Sequence, residues 1–348
     1  MSSPNLEIFL TPKDIVELIG MTVQGVHKLL KEHGIESRNQ GSRQHRIYPT
    51  SFKELLQIKR FPIPKEVIVA HLVKGGVGKT TVVHALAARA SAFGLRTLMV
   101  DLDQQANLSS SFGVHSRPKV DLTMLEVYLN HEKGIKTKIN EAIIKLTDFL
   151  HIIPANLSLA NLDLALIQAT ENLERLFMEM FSPISEDYDV IFIDCPPALS
   201  RVTSAAHCFA TKILMPVNMD KFSLDGLDLT IDHHKLLSRK FKVNAKIHVI
   251  INKFDARQKL GFEVINQLST EYQQSLCETY ISVSKQIDNS IASNECIWNN
   301  SLGKNVALED FNNLLIEILG LSSWKNRRQI DQQGVVKSPQ RKEIVANA

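Results

Sequence analysis

Lys74-Gly75-Gly76-Val77-Gly78-Lys79-Thr80-Thr81 gathers three glycines, two lysines and two threonines into one short run. Glycines let successive backbone N–H groups close on an anion, because no side chain blocks the approach. A lysine at the end of such a turn can reach the outer phosphates of a nucleoside triphosphate, and the hydroxyl after it can ligate Mg²⁺. Lys79 and Thr80 hold those positions, and Gly75, Gly76, Val77, Gly78 and Thr81 complete the cradle. The chemistry that fits is binding of ATP or a similar nucleotide together with Mg²⁺. A glycine-rich turn that binds nothing is the plain alternative, and the flanking residues argue against it.

Those flanks are the elements needed to position the turn. Val67-Ile68-Val69-Ala70-His71-Leu72-Val73 reads as a buried strand. Ala85-Leu86-Ala87-Ala88-Arg89-Ala90 has strong helix propensity. A strand, a glycine-rich turn and a helix N-terminus together add the helix dipole to the backbone donors. The usual pattern G-x-x-x-x-G-K-[ST] requires glycine five residues before Gly78, where Val73 stands, and Lys74 opens the loop instead. In this form K-G-G-V-G-K-T-T resembles the deviant Walker A loop of the ParA/MinD family of ATPases. The resemblance implies a catalytic pair. Lys79 serves the phosphates of its own subunit, and Lys74 reaches across a homodimer to the nucleotide of the other.

Three further positions match the family. Asp194 leaves the apolar run Val190–Ile193 and precedes Cys195-Pro196-Pro197. A lone aspartate there can be a cap or turn residue, but beside such a loop it resembles the Walker B acid that holds Mg²⁺ through water. Asp101-Leu102-Asp103-Gln104-Gln105 resembles the family's D-x-D-P-Q element. The resemblance gives Asp103 the attacking water and Asp101 a place nearer the metal. Gln104 stands where the family has proline, which frees the backbone at that point. Asn252, after Lys246–Ile251, matches the adenine-recognising position, since its amide both donates and accepts, although it could equally cap the next turn. Arg257 and Lys285 fall in segments that bind DNA in the family, and Ser301-Leu302-Gly303-Lys304 echoes its S-F-G-K motif. Lys235, Arg239, Lys240 and Lys242 gather at the end of an expected helix over 224–240, as a DNA surface or as a complement to its dipole.

The front of the chain differs in character. Thr11-Pro12-Lys13-Asp14 reads as a capped helix start, and Gly20-Met21-Thr22 as a turn. A second helix follows, with Val26, Leu29 and Leu30 inward and Gln24, His27, Lys28 and Lys31 outward. This is a helix-turn-helix pattern. Arg38–Tyr48 is a basic hairpin-like segment containing Arg43 and Arg46, and a third helix is expected over Ser51–Lys59. The arrangement resembles the MerR-like winged helix, which would set Lys28, Arg43 and Arg46 toward DNA; a small adaptor for protein contacts is the alternative.

The 348 residues have room for one large domain and one small one. No apolar run approaches the roughly 18–20 residues of a membrane span. Cys195, Cys208, Cys277 and Cys296 lack metal or redox spacing, which fits reduced thiols in a cytoplasmic protein. Residues 1–66 carry 10 Lys/Arg against 7 Asp/Glu, residues 321–348 carry 6 against 2, and the middle carries 24 against 28. Basic ends on an acidic centre suit contact with a polyanion, although solvated surface lysines give the same count. The expected organisation is a helix-turn-helix domain over 1–60, an extended linker over 61–66 around Pro62 and Pro64, an ATPase domain over 67–320 and a polar, disordered tail from 321. Strands are expected at 97–102, 149–154, 189–194, 212–217, 246–251 and 279–283. Helices are expected at 122–130, 137–147, within 157–181 and at 307–319. That alternation predicts an α/β fold, a doubly wound and mostly parallel sheet behind a small helical winged-helix-like domain.

The family resemblance covers residues 66–320 and implies a DNA partition ATPase. An ATP–Mg²⁺ dimer would bind DNA without sequence preference, and a ParB-type centromere-binding partner would trigger hydrolysis and release. The front module would bind an operator and repress its own operon. Alternatives are a MinD-like division-site ATPase, for which Trp324–Ile330 offers little apolar face, and a transcription regulator with nucleotide only as ligand.

Overall fold

In this computed structural model the described residues are 6–37, 45–114, 122–135, 138–168, 172–257, 259–298, 305–322 and 324. Three helices come first: α1 (Pro12–Ile19), α2 (Val23–Glu32) and α3 (Pro49–Ile58). Strand and helix then alternate as β1 (Glu66–Ala70), α4 (Lys79–Ala92), β2 (Thr97–Asp101), α5 (Asn107–Ser111), α6 (Met124–Glu132), α7 (Lys138–Ala142), β3 (Ile144–Lys145) and β4 (Leu150–Ile153). The second half runs α8 (Ala160–Gln168), α9 (Leu173–Phe181), β5 (Val190–Asp194), α10 (Arg201–Phe209), β6 (Lys212–Val217), α11 (Lys221–Phe241), β7 (Lys246–Ile251), α12 (Lys259–Glu271), α13 (Lys285–Ala292) and α14 (Val306–Ile318).

The seven strands lie in the order β3-β4-β2-β5-β1-β6-β7. All neighbours are parallel except β3 with β4. Side chains alternate between the two faces, as the pleat requires. Ile68, Ala70, Met99, Val190 and Phe192 pack with α4 and α14, whereas Val69, Leu98, Val100, Ile191 and Ile193 pack with the α6 and α8–α11 side. Both faces are covered, so the strands read as continuous apolar runs.

The three N-terminal helices are not a separate bead. Thr11 caps α1 through Asp14 and Gly20 ends it in the left-handed conformation, as the sequence suggests. Ile15, Leu18, Val26, Phe52, Leu55 and Leu56 then join one continuous apolar cluster with Leu86, Ala90, Phe93 and Leu314. Gly94, at φ 70°, lets α3 approach: a Cβ there would sit 2.9 Å from the Pro49 carbonyl oxygen and 3.0 Å from the Lys53 nitrogen. Each large apolar side chain buried in this seam contributes about 1.5–3 kcal/mol. Removing the module would therefore bare the end of α4.

Several expectations are corrected. The helix expected over 137–147 stops at Ala142, and Ile144–Lys145 is instead a short antiparallel edge strand against β4. Residues 279–283 form no strand, although the Ile281 N–H donates to the Ile251 carbonyl at 2.9 Å and Phe254 bridges Ser282. The first strand ends at Ala70 rather than Val73, because the backbone turns into the glycine loop. Leu321 and Trp324 are not tail residues. Both are buried, and Trp324 packs on Phe61 with its indole N–H donating to the Pro62 carbonyl oxygen at 3.2 Å. The basic tail beyond Trp324, Arg43 of the expected wing, and Ser301–Lys304 lie outside the described residues.

Candidate nucleotide site

β1, β2 and β5 are adjacent, and their register aligns Ala70 and Asp101 with Asp194. Three strand exits therefore deliver the glycine loop and both acids to one place, at the carboxyl edge where this kind of sheet binds ligands. Gly78 caps α4 at φ 91°, and a Cβ on it would collide with the Asn252 amide nitrogen. That amide donates to the Val77 carbonyl oxygen at 2.7 Å. Asn252 thus sits buried behind the loop and braces it.

Lys79 is the first residue of α4, and its Nζ donates to the Lys74 carbonyl at 2.9 Å and the Leu72 carbonyl at 3.3 Å. Burial pulls its pKa down, against the opposing field of Asp194. Thr80 Oγ1 donates to Asp194 Oδ2 at 2.7 Å. Asp194 Oδ1 is buried with no hydrogen-bond partner. Burial, then the neighbouring Asp101 charge, pushes the Asp194 carboxyl up to about 8. Burial also lifts Asp101 to about 6, although Ser109 donates to it from its N–H at 2.9 Å and its hydroxyl at 2.7 Å.

These residues fit a divalent cation. Thr80 offers a hydroxyl, Asp194 an unused buried oxygen, and the field of Lys79 does not offset the burial that raises the two carboxyls. Among the described residues no cluster of three or more His, Cys, Asp or Glu could hold a metal unaided. That is the pattern of a cation such as Mg²⁺, which takes one or two protein oxygens and completes its shell with water and phosphate. A cleft of about 820 Å³ opens above, lined by the loop glycines, Lys79, Thr80, Thr81, Asp103 and Gln104. Asp103 accepts the Gln105 N–H at 2.9 Å and borders the cleft half-exposed.

Lys74 has different partners. Its Nζ donates to Asp220 Oδ1 at 2.8 Å and lies 5.2 Å from the centre of the Phe222 ring. Phe222 is 75% exposed. Sequence reasoning missed Asp220, the N-cap of α11; its capping pattern was readable, but its nearness to Lys74 follows from the sheet order. Ser109 was missed for the same reason.

Among the described residues, the candidate DNA contacts Lys28, Arg46 and Arg257 each have their own local partner. Lys28 is exposed on α2 beside Glu32. Arg46 is largely buried, ion-paired with Glu7 at 2.6 Å and 4.7 Å from the centre of the Phe9 ring, so its charge is engaged within the module. Arg257 is exposed and clamped on Asp255 by two side-chain hydrogen bonds at 2.8 Å. Lys285 is exposed at the first position of α13.

The chain is similar to known proteins over this region. The chromosome partitioning protein ParA of Myxococcus xanthus is 27% identical over 271 residues, which is 77% of this chain and 89% of that protein. The sporulation initiation inhibitor protein Soj of Bacillus subtilis is 30% identical over 211 residues, 60% of this chain and 80% of Soj. A putative plasmid partition protein from Borrelia burgdorferi, bound to AMPPNP, superposes with a TM-score of 0.62 at 24% identity over 74% of this chain and 99% of that one. Cobyrinic acid a,c-diamide synthase from Mycobacterium smegmatis, with an ATP analogue and magnesium, reaches a TM-score of 0.61 at 21% identity, covering 78% of this chain and 97% of that one. The two superpositions establish the fold, and they show it shared by proteins of different named roles. Residues 65–249, just over half the chain, match the AAA_31 family model, described as an AAA domain. The chain therefore belongs to the AAA_31 family of AAA domains, with a P-loop of the ParA/Soj type.

Proposed function

We propose that the protein is an ATP-hydrolysing DNA partition protein that works as a nucleotide-gated homodimer. The placement of Lys74 carries this reading. It stands at the rim of the loop, held by Asp220 above an exposed phenylalanine, while Lys79 alone serves the phosphates of its own subunit. The relatives named ParA and Soj support the partition role, and the nucleotide-bound neighbours support ATP with Mg²⁺ as the ligands.

When bound, Mg²⁺ would neutralise charge on the β- and γ-phosphates. Thr80 and Asp194 would hold it, with Asp101 behind them. Gly75–Gly78 and Thr81 cradle phosphate oxygens with their N–H groups, and Lys79 leaves its carbonyl partners to neutralise them. Asp103 orients the attacking water, and Asn252 stands at the strand end where adenine would be read. The closed dimer would expose Arg257, Lys285 and the basic end of α11 to DNA phosphates, an interaction without sequence preference that falls steeply with salt. A ParB-type partner would then accelerate hydrolysis and release. α2, with Gln24, Lys28 and Lys31 outward, would read an operator and repress the operon.

Lys74→Ala tests the dimer switch. A charge-assisted contact of this kind is worth about 1.5–3 kcal/mol, so dimer affinity should fall by one to two decades while monomeric ATP binding stays near normal. Sedimentation with ATP and Mg²⁺ reads this directly, and wild-type dimerisation in the variant would refute the switch.

A further inference from the structure

A pair of fully buried imidazoles lies beside the nucleotide cleft, outside the roles assigned above. His71 follows β1 directly and His207 sits on α10; neither has any solvent exposure. His71 Nδ1 lies 2.9 Å from His207 Nε2, and His71 Nε2 lies 3.0 Å from the Ala198 carbonyl oxygen. A carbonyl only accepts, so the His71 proton resides on Nε2 and its Nδ1 is a lone pair. His207 must then donate from Nε2, which leaves its own Nδ1 without a proton. That atom is indeed buried with no partner. Burial keeps both rings neutral, with His71 pushed down to about 3 and His207 well below its ordinary value. The hydrogen bonds therefore have one direction, from His207 through His71 to Ala198.

The acceptor matters because of where it lies. Pro196, Pro197 and Ala198 form the wall of the cleft facing Thr80 and Asp103. They belong to the loop that leaves Asp194, and within it the Ala198 N–H donates to the Pro196 carbonyl at 2.9 Å. The Ala198 carbonyl is turned into the core, where Thr203 Oγ1 donates to it at 3.1 Å alongside His71. The backbone of His71 is itself fixed, its N–H bonded to the Leu214 carbonyl of β6 at 3.0 Å. On the far side, the rings of His233 and His234 on α11 lie 5.9 and 5.4 Å from His207. His233 also meets the Ser204 hydroxyl at 3.0 Å.

We propose that His71 is a positioning residue for hydrolysis: its Nε2–H pins the Ala198 carbonyl, and so fixes the Pro196–Ala198 wall relative to the glycine loop and Asp103. The proposal rests on the ATPase reading above. It gives the loop after the metal-binding acid a tether to the same strand that launches the phosphate cradle, so the two walls of the cleft keep their spacing when nucleotide enters.

Two substitutions separate this role from bulk packing. In His71→Gln the longer side chain carries its amide N–H where Nε2 was and keeps the donor to Ala198. In His71→Asn the amide reaches only the Nδ1 position, and that donor is lost. Both introduce a buried amide smaller than imidazole, and Asn is the smaller by a methylene. Exchange at the Ala198 loop, rather than stability, therefore separates the lost donor from the lost volume. We expect His71→Asn to lose kcat for ATP about tenfold, as for one buried hydrogen bond, with KM within about twofold. Hydrogen exchange of the ligand-free protein should quicken at amides 198–204 in that variant. His71→Gln should stay near wild type in both measurements. His207→Leu, which frees His71 to change tautomer, should show the same direction at about threefold. Equal kcat in the Asn and Gln variants, or unchanged exchange in the Asn variant, overturns the proposal. A wild-type protein without ATP turnover whose Asn variant alone loosens the loop would overturn the ATPase reading while supporting the tether.

Discussion

The two ends of α4 handle charge in opposite ways. At its N-terminus Lys79, Asp101 and Asp194 are all buried, and their pKa values are displaced toward the neutral forms. Asp194 keeps one oxygen without any partner. At its C-terminus Arg89 is equally buried, yet every group around it is engaged. Its Nε donates to Asn312 Oδ1 at 2.8 Å, its terminal nitrogen pairs with Asp14, and its guanidinium lies between the Phe93 and Trp298 rings at 5.2 and 4.5 Å. Asp14 uses its other oxygen to cap α1 through Thr11. Burial pushes the Asp14 carboxyl up, but Arg89 and Thr11 pull it down further, to below its ordinary value. Desolvating charge costs several kcal/mol per ion unless partners repay it. One end of the helix is therefore complete without a ligand and serves as architecture. The other is incomplete and becomes satisfied only when phosphate and a cation arrive.

Substitutions at the two ends should accordingly fail in different assays. The largest effect is expected at Asp103→Ala, which removes the group proposed to orient the attacking water and should lower turnover by about 10²–10⁴-fold with ATP binding intact. Single-turnover measurement with bound ATP checks this, and wild-type-like hydrolysis would move catalysis elsewhere. Next is Arg89→Ala, which leaves Asp14 without its counter-charge and should cost about 3–5 kcal/mol of stability. Chemical denaturation would read that loss, and a drop of under 1 kcal/mol would sink the view of this end as a structural pair.

Asp194→Asn should do the reverse. A carboxyl whose folded pKa is raised contributes stability below its unfolded pKa and loses it as pH rises through the folded value of about 8. The ligand-free variant should therefore be more stable than wild type at pH 8, by ~1 kcal/mol or ~2 °C in Tm, while losing Mg²⁺-dependent turnover. A variant that is less stable at pH 8 would show that the acid is already satisfied without ligand. The smallest effect belongs to Lys28→Ala, on the exposed face of the module that Arg89 anchors. It should weaken operator binding a few-fold, reduce the salt slope by about 1, and leave ATP-dependent non-specific binding unchanged. An unchanged operator footprint and salt slope would take α2 off the DNA.

Much of this site was legible in the sequence because its signals are local. The cradle Gly75–Thr81 is contiguous, and Asp101 and Asp194 each end an apolar run that can only be a buried strand. Thr11-Pro12 and Gly20 bound α1 through chemistry contained within it. The mostly parallel sheet followed from strand–helix alternation, since parallel neighbours need a crossover. Tertiary structure decided what depends on partners far along the chain. Lys74 meets Asp220 and Phe222 only because β6 lies beside β1. Asn252 reaches Val77 from the exit of β7, across the sheet order rather than along the sequence. Trp324 stands in a polar stretch, and its burial against Phe61 needs the return of the chain after α14. Arg46 stands in a basic run, and its pairing with Glu7, 39 positions earlier, and with Phe9 comes from the fold of the module. Local chemistry sets which residues can bind, cap or turn, whereas the free energy of a buried charge is set by the neighbours that the fold brings to it.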